Sequence, residues 1–314
     1  MPSLTVRDNI CFHYTDSGPP NKPNYSSLFI IHGHTFHSDT PRMTSVASNS
    51  LYLGAFRKIT PLAASNGLRI ICVNRREYPG SSPFTPEELR VFNEGCDAER
   101  AKLLNEQGIL LCELVDSLIN TLSLPKEGGI TISSWSMGCI FAIAMLTAIS
   151  DLPKGVRERL RGHVRKLLLW DPPATTIGTA DPPGSYVPLF DTSLPPEARG
   201  PTFGVWVSSY FKHGNLSSHN FDQLNQRDPD PSRQATILKM TPEEIAANTD
   251  FAPGPKYDTV LCSPSFAGVH WDQTNKALFD PECREQWGGL DVVHMYGDSN
   301  SWIILNGLWS LERG

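Results

Sequence analysis

Ile130-Thr131-Ile132-Ser133-Ser134-Trp135-Ser136-Met137-Gly138-Cys139-Ile140-Phe141-Ala142 is the stretch that decides the fold. An apolar, β-branched run stops at a serine set between small residues. A helix-like run starts at once. Such a junction is a strand, a sharp turn and a helix, and the turn tolerates only small neighbours. Ser134, two before Ser136, and Gly138, two after it, meet that condition. A bulky side chain at either place would collide with the crossing strand and helix.

Two further segments are read with it. Ser26-Ser27-Leu28-Phe29-Ile30-Ile31-His32-Gly33-His34 is a buried strand ending in His-Gly. Leu68-Arg69-Ile70-Ile71-Cys72-Val73-Asn74 is another strand, running into Arg75-Arg76-Glu77-Tyr78-Pro79-Gly80-Ser81-Ser82. The three elements together resemble the α/β-hydrolase superfamily. Its nucleophile elbow is usually G-x-S-x-G, and here Ser134 replaces the first glycine. The loop after Val73 resembles the superfamily's Asp-x-Arg-Gly-x-Gly-x-Ser, with Asn74 and Glu77 departing from it. The resemblance covers residues 3–175 well and 285–313 fairly.

The resemblance implies an α/β fold: a mostly parallel sheet with helices on both faces and a cap inserted after the sixth strand. The pattern of the chain agrees. Residues 3–16 read as a leading hairpin. Residues 48–66 read as a helix stopped at Asn66-Gly67. Residues 97–123 form a long amphipathic helix, with Leu104, Leu111, Val115, Leu118 and Leu122 at mostly three- and four-residue steps. Residues 137–149 are the helix after the elbow, and Arg165–Trp170 the next strand. Parallel strands buried on both faces read as continuous apolar runs, and residues 28–31, 69–74, 130–134, 166–170 and 291–296 do so. From Pro172 to Trp287 the chain turns rich in Pro, Ser, Asn and Asp. That gives a first core part at 1–171, a cap at 172–287 and a returning core part at 288–314. A long irregular connection is the alternative, but structureless stretches of that length are uncommon. The patch Trp206–Phe211 faintly resembles caps of fungal members.

The resemblance also assigns roles. Ser136 is the nucleophile. The backbone N–H groups of Met137 and of His34, with Thr35 as the alternative to His34, are the oxyanion donors. Trp135 and Thr35 are expected to contact substrate. The carboxylate is Asp171, at the end of the sixth strand, ahead of Asp298 in the loop after the seventh. The usual acid position, three after Gly297, is occupied by Asn300. A serine hydroxyl needs an imidazole to take its proton. The family places that histidine after an eighth strand, and the sequence ends at Gly314 without one. Of the nine histidines, His32 reads as a loop residue, and His34 and His37 as possible substrate contacts. His294 reads as a satisfied core side chain. His270, in Gly268-Val269-His270-Trp271-Asp272, superficially resembles a catalytic histidine but lies before the seventh strand. The expectation is a serine hydrolase of small or medium acyl substrates of the ester, thioester or lactone type, poor in this shortened chain, or a catalytically weak or inactive ligand-binding relative.

Composition narrows the classes. The 314 residues carry a net charge of −6 and a pI near 5.8, which leaves no electrostatic footprint for nucleic acid. The basic cluster Lys154 to Lys166 reads as a solvated helix face. Nothing at the N-terminus reads as a signal peptide, and the longest apolar run, Cys139 to Ile149, is too short to span a bilayer. Seven cysteines, an odd number without metal-ligand spacing, suggest free thiols. The expected setting is cytoplasmic, with no cofactor, no metal, and a small-molecule acyl substrate as the partner.

Overall fold

A computed structural model describes residues 2–38, 56 and 58–313. The chain order is β1 (Ser3–Thr5), β2 (Cys11–Asp16), β3 (Ser26–Ile31), β4 (Leu68–Val73), α1 (Pro86–Glu94), α2 (Asp97–Thr121), β5 (Ile130–Trp135), α3 (Gly138–Ala148), α4 (Lys154–His163) and β6 (Val164–Trp170). It continues with α5 (Pro196–Val207), α6 (Pro242–Asn248), α7 (Thr259–Leu261), α8 (Ala267–Leu278), α9 (Pro281–Gln286), β7 (Asp291–Met295) and α10 (Trp302–Arg313).

The strands form one seven-stranded sheet in the order β1-β2-β4-β3-β5-β6-β7. β1 pairs antiparallel with β2, and β2 antiparallel with β4. Every pair from β4 to β7 is parallel. The leading hairpin, the five parallel strands and their adjacency therefore lie where the sequence puts them. β7 is the edge strand, with β6 as its one neighbour among the described residues.

Period-two alternation sorts the strand side chains between two faces. Phe29, Ile31, Ile71, Val73, Ile132, Leu167 and Leu169 join the main core with the buried faces of α2, α3 and α8. Ile30, Ile70 and Cys72 point the other way and pack on Phe56 and Ala63. α3 is buried at all 11 of its residues, which explains a sequence apolar all round rather than on one stripe. α2 crosses α3 so closely that a Cβ on Gly108 would lie 2.3 Å from the Ala144 carbonyl oxygen.

Three expectations need adjustment. The helix expected over 48–66 lies partly outside the described residues. Its described end is two 3₁₀ turns, Thr60–Leu62 and Ala64–Asn66, closed by Gly67 at φ +66°. The stretch 172–287 behaves as two parts. Trp206, Phe211 and Leu224 pack with Trp302, Leu305, Leu308 and Trp309 of α10 in a cluster of their own. Tyr257, Leu261, Phe266, Val269, Leu278 and Trp287 instead join the main core. The polar composition of 172–250 hid the second part, whose apolar residues are sparse but face α2 and α3. His294 is only partly buried, and its Nε2 has no partner, so it is not a satisfied core residue.

Candidate active site

Four consecutive parallel strands, β3, β4, β5 and β6, end at one edge of the sheet. Each is followed within four residues by a non-glycine residue in the left-handed region: Thr35 (φ 69°), Glu77 (φ 70°), Ser136 (φ 54°) and Asp171 (φ 48°). Such backbone costs about 1–3 kcal/mol apiece and collects at functional sites. Open α/β sheets bind ligands outside the carboxyl ends of their strands.

Ser136 sits at the tip of the turn between β5 and α3. Its N–H donates to the Trp170 carbonyl at 2.8 Å, and its own carbonyl accepts from the Cys139 N–H at 3.0 Å. The small neighbours have visible reasons. A Cβ on Gly138 would lie 2.6 Å from the Ile31 carbonyl oxygen and 2.7 Å from that of His32. A Cβ on Gly33 would lie 3.0 Å from the Ser136 Cβ. Ser134 is fully buried, with its hydroxyl against Cys139 Sγ at 3.4 Å. Among the described residues no side chain hydrogen-bonds to Ser136 Oγ, and no acceptor takes the N–H of Met137 or of His34.

That strand order and that elbow are those of the α/β-hydrolase fold. No protein-family model matches the sequence, and no curated protein matches it. Among solved structures, an enol-lactonase from Burkholderia xenovorans aligns at 11% identity over 99% of this chain and 96% of its own, with a TM-score of 0.45. A bromoperoxidase from Bacillus anthracis aligns at 12% identity over 99% and 96%, with a TM-score of 0.44. A carboxylesterase from Nitrososphaera gargenis aligns at 12% identity over 100% and 97%, with a TM-score of 0.42.

The α/β-hydrolase elbow faces a loop that is held at almost every backbone group. The His32 ring is neutral, because burial drives its pKa well below the ordinary 6.5 and the Arg75 charge adds to that. Its Nε2 accepts from the Arg75 N–H at 3.1 Å, so Nδ1 carries the proton and donates to the Gly33 carbonyl at 2.9 Å. The Arg75 guanidinium, fully buried, donates to the carbonyls of His32 at 3.2 Å and Gly33 at 3.0 Å. It also grips both carboxylate oxygens of Asp258 at 3.0 Å and donates to Tyr257 Oη at 2.6 Å. Tyr78 donates its hydroxyl to Asp258, and the same oxygen accepts the Thr35 N–H at 2.8 Å. The Thr35 amide is therefore engaged, which removes it as the alternative oxyanion donor.

The charges in this network are consistent. Burial alone would raise the Asp258 carboxyl, but the Arg75 charge together with the hydrogen bonds from Arg75 and Tyr78 turns the net direction down. Tyr78 is pushed well above the ordinary phenol value, by burial first and then by the Asp258 charge, so it keeps its proton. Arg75, Tyr78 and Asp258 were not legible as a unit. The first two lie in the loop quoted above, but Asp258 comes about 180 residues later in a stretch without motif.

Glu77 stands in that loop where the family pattern has glycine. It adopts the glycine-like φ because its side chain is tied down: Oε1 accepts from the Phe84 N–H at 2.8 Å and Oε2 from Lys256 Nζ at 2.6 Å. Asn74, the other departure, accepts at Oδ1 from the Ser38 N–H at 2.9 Å and donates to the Pro79 carbonyl at 2.9 Å.

The two candidate acids differ. Trp135 and Trp170 are register partners on β5 and β6. Ser136 and Asp171 follow them directly, which sets their backbones about 5 Å apart, one strand spacing. The Asp171 carboxylate accepts from the Gly297 N–H at 3.3 Å. Burial raises its pKa above the ordinary 3.8, with the Gly297 amide and the Asn300 side chain opposing. Asp298 is exposed, and its carboxylate accepts from Ser299 Oγ at 3.1 Å on its own loop. It lines a recess of about 270 Å³ with Tyr210, Arg233, Gly297 and Asn300, the last two of which also bond to Asp171.

All nine histidines fall within the described residues, and none bonds to Ser136. His270 is fully buried on α8, stacks on Phe266, and places Nε2 2.8 Å from the Leu261 carbonyl. Burial takes it down to about 4. His34 bridges Thr35 Oγ1 at 2.6 Å and Thr259 Oγ1 at 3.3 Å. His37 is buried beside Tyr78, with ring centroids 6.4 Å apart. Trp135 packs among Phe36, Phe56 and Trp170. Among the described residues no cluster of His, Cys, Asp or Glu could hold a metal ion, and no helix is long and apolar enough to cross a membrane.

Proposed function

We propose that the chain is a serine hydrolase of the α/β-hydrolase fold, with Ser136 as the nucleophile toward an ester, thioester or lactone carbonyl. The observation that carries this reading is the elbow: a serine at φ 54° whose hydroxyl has no partner among the described residues, beside two backbone amides likewise without acceptors among them. Oxygen attack on a carbonyl places negative charge on the carbonyl oxygen. The Met137 and His34 N–H groups are the donors offered to it, and the Met137 amide opens α3, whose dipole favours negative charge. Asp171 is the carboxylate best placed beside the elbow. Thr35 contributes conformation, through its strained backbone, and Trp135 packs the strand end that carries the elbow against Phe36, Phe56 and Trp170.

A second reading is favoured by one observation. No imidazole within these 314 residues reaches Ser136 Oγ, so a weak or inactive ligand-binding member of the same fold fits the base side better. Covalent labelling with a fluorophosphonate probe separates the two. The hydrolase reading expects one phosphonyl group on Ser136 and none on Ser136→Ala. Equal, negligible labelling of both proteins would leave the ligand-binding reading.

A further inference from the structure

The oxyanion loop is not braced by the sheet alone. Segment 254–259, remote in sequence, closes over it. A Cβ on Gly254 would lie 3.4 Å from His34 Cε1, and Thr259 Oγ1 meets His34 Nε2 at 3.3 Å. Asp258, between them, is fully buried and holds Arg75 at 3.0 Å through both oxygens. Its Oδ2 also accepts the hydrogen bond donated by the Tyr78 hydroxyl.

We propose that Tyr78 and Asp258 are positioning residues for the oxyanion amide of His34, acting through the strained backbone of Thr35. The inference rests on the reading of Ser136 as nucleophile. A phenol has one proton. Donating it to Asp258 leaves the Tyr78 oxygen with only lone pairs to offer, and one of them accepts the Thr35 N–H at 2.8 Å. The carboxylate thus fixes the polarity of the relay. The other groups of Thr35 are held as well. Its carbonyl accepts from the Asp250 N–H at 2.8 Å, and Oγ1 meets His34 Nδ1 at 2.6 Å.

A β-branched residue at φ 69° leaves that conformation unless it is over-determined. Were Thr35 to relax to negative φ, its N–H would leave Tyr78 and the His34–Thr35 peptide unit would turn, which frees ψ at His34 and releases the anchor on its Cα. The preceding peptide unit, which carries the His34 N–H, hangs on that same Cα and would lose its fixed aim beside the Met137 amide. Arg75 supports the same geometry from below by holding the carbonyls of His32 and Gly33.

The test is Tyr78→Phe, which keeps the ring that packs on His32 at 4.3 Å and removes only the hydroxyl. The control is Tyr25→Phe, which removes a different buried phenol from a different arginine, Arg69. Both variants lose a buried hydrogen bond, so both lower the thermal midpoint. Only Tyr78→Phe is expected to slow labelling of Ser136 by a fluorophosphonate. Losing an oxyanion donor costs about 10²–10³-fold, so misaiming one costs about tenfold. The loss should fall on the maximal labelling rate and leave the half-saturating probe concentration unchanged. If Tyr78→Phe does not fold, Thr35→Gly tests the same link, because it keeps the amide but frees φ, and a severalfold loss of maximal rate is expected. A folded Tyr78→Phe, or in its place Thr35→Gly, that labels at the wild-type rate overturns the positioning role and leaves Ser136 as nucleophile. Wild-type protein that labels no faster than Ser136→Ala overturns both.

Discussion

Acidification should destabilise this protein before its carboxylates titrate, and His270 is the clearest cause. The ring is fully buried on α8, donates through Nε2 to the Leu261 carbonyl, and leaves Nδ1 without a partner. Protonation would put a charge on an unpartnered nitrogen in the core, so its pKa falls from 6.5 to about 4. A histidine lowered in this way binds more protons unfolded than folded between those two values. Stability therefore rises with pH across that window and is lost as pH falls through it. The unfolded state gains about 2 kcal/mol at pH 5, against a few tenths at pH 7. Burial also lowers His32, His34, His213 and His294, so the whole protein's slope is steeper. Asp171 and Asp181, raised by burial, act in the opposite sense. Comparison with His270→Gln at each pH cancels these other groups, and glutamine can still donate to Leu261. Urea unfolding at pH 7, 6 and 5 is the assay. The stability advantage of wild type over His270→Gln should shrink by about 2 kcal/mol from pH 7 to pH 5. Parallel profiles would refute the argument and mean that the ring is protonated or solvated in the folded state.

Turnover of activated esters separates the two readings as labelling does. The ligand-binding reading expects it close to background, because loss of an imidazole base typically costs about 10⁶-fold. Robust turnover abolished by Ser136→Ala would support the hydrolase reading and require a base that the described geometry does not show. Gly138→Ala should both lose several kcal/mol, on the order of an overpacked core site, and abolish labelling, since its Cβ would meet two backbone carbonyls within 2.7 Å. Replacing strained residues by glycine should give opposite signs. Ser136→Gly is expected to stabilise by about 1 kcal/mol, because φ strain is relieved and no hydroxyl partner is lost. Glu77→Gly is expected to destabilise by about 1 kcal/mol, because the Phe84 amide and Lys256 lose their acceptor. Denaturant titration of the two variants decides the signs.

What the sequence revealed follows from which physical constraints are local. Buried parallel strands need apolar runs, and a strand–turn–helix elbow needs small residues at 134 and 138. Both constraints act on neighbours in the chain, so the parallel strands and the turn at Ser136 were legible, while the order of the strands in the sheet came from the structure. Asp171 was legible as a strand end but not as a left-handed residue, since its φ comes from the loop at Gly297 that it binds. Contacts between distant segments leave no such trace. Nothing around Asp258 announces that its carboxylate closes on Arg75 and Tyr78. Nothing around Leu261 announces that its carbonyl occupies His270. The long stretch after Pro172 misled for the same reason: its composition is polar on average, while residues 257–287 bury a few large side chains against α2 and α3.

The strained positions supply an argument for a site that does not depend on likeness to other proteins. Thr35, Glu77, Ser136 and Asp171 follow four different strands, yet all lie at one edge of the sheet. At about 1–3 kcal/mol each, they cost a sum comparable to the whole stability of a typical domain, about 5–15 kcal/mol. A chain selected for stability alone would carry glycine at most of them. Glu77 offsets its strain with an ion pair and a hydrogen bond, and Thr35 is held through its N–H, carbonyl and hydroxyl. Among the described residues Ser136 has no such compensation at its side chain. Strain held without a structural return, on a hydroxyl beside two amides unengaged among the described residues, is what supports the proposed chemical role of Ser136. On the proposed reading the donor side is the amide pair of Met137 and His34, and the loop that carries the second is held by Arg75, Tyr78 and Asp258. The proposed base side has a carboxylate at Asp171 and, among the described residues, no imidazole bonded to Ser136, and that asymmetry is what measurements on Ser136 will read first.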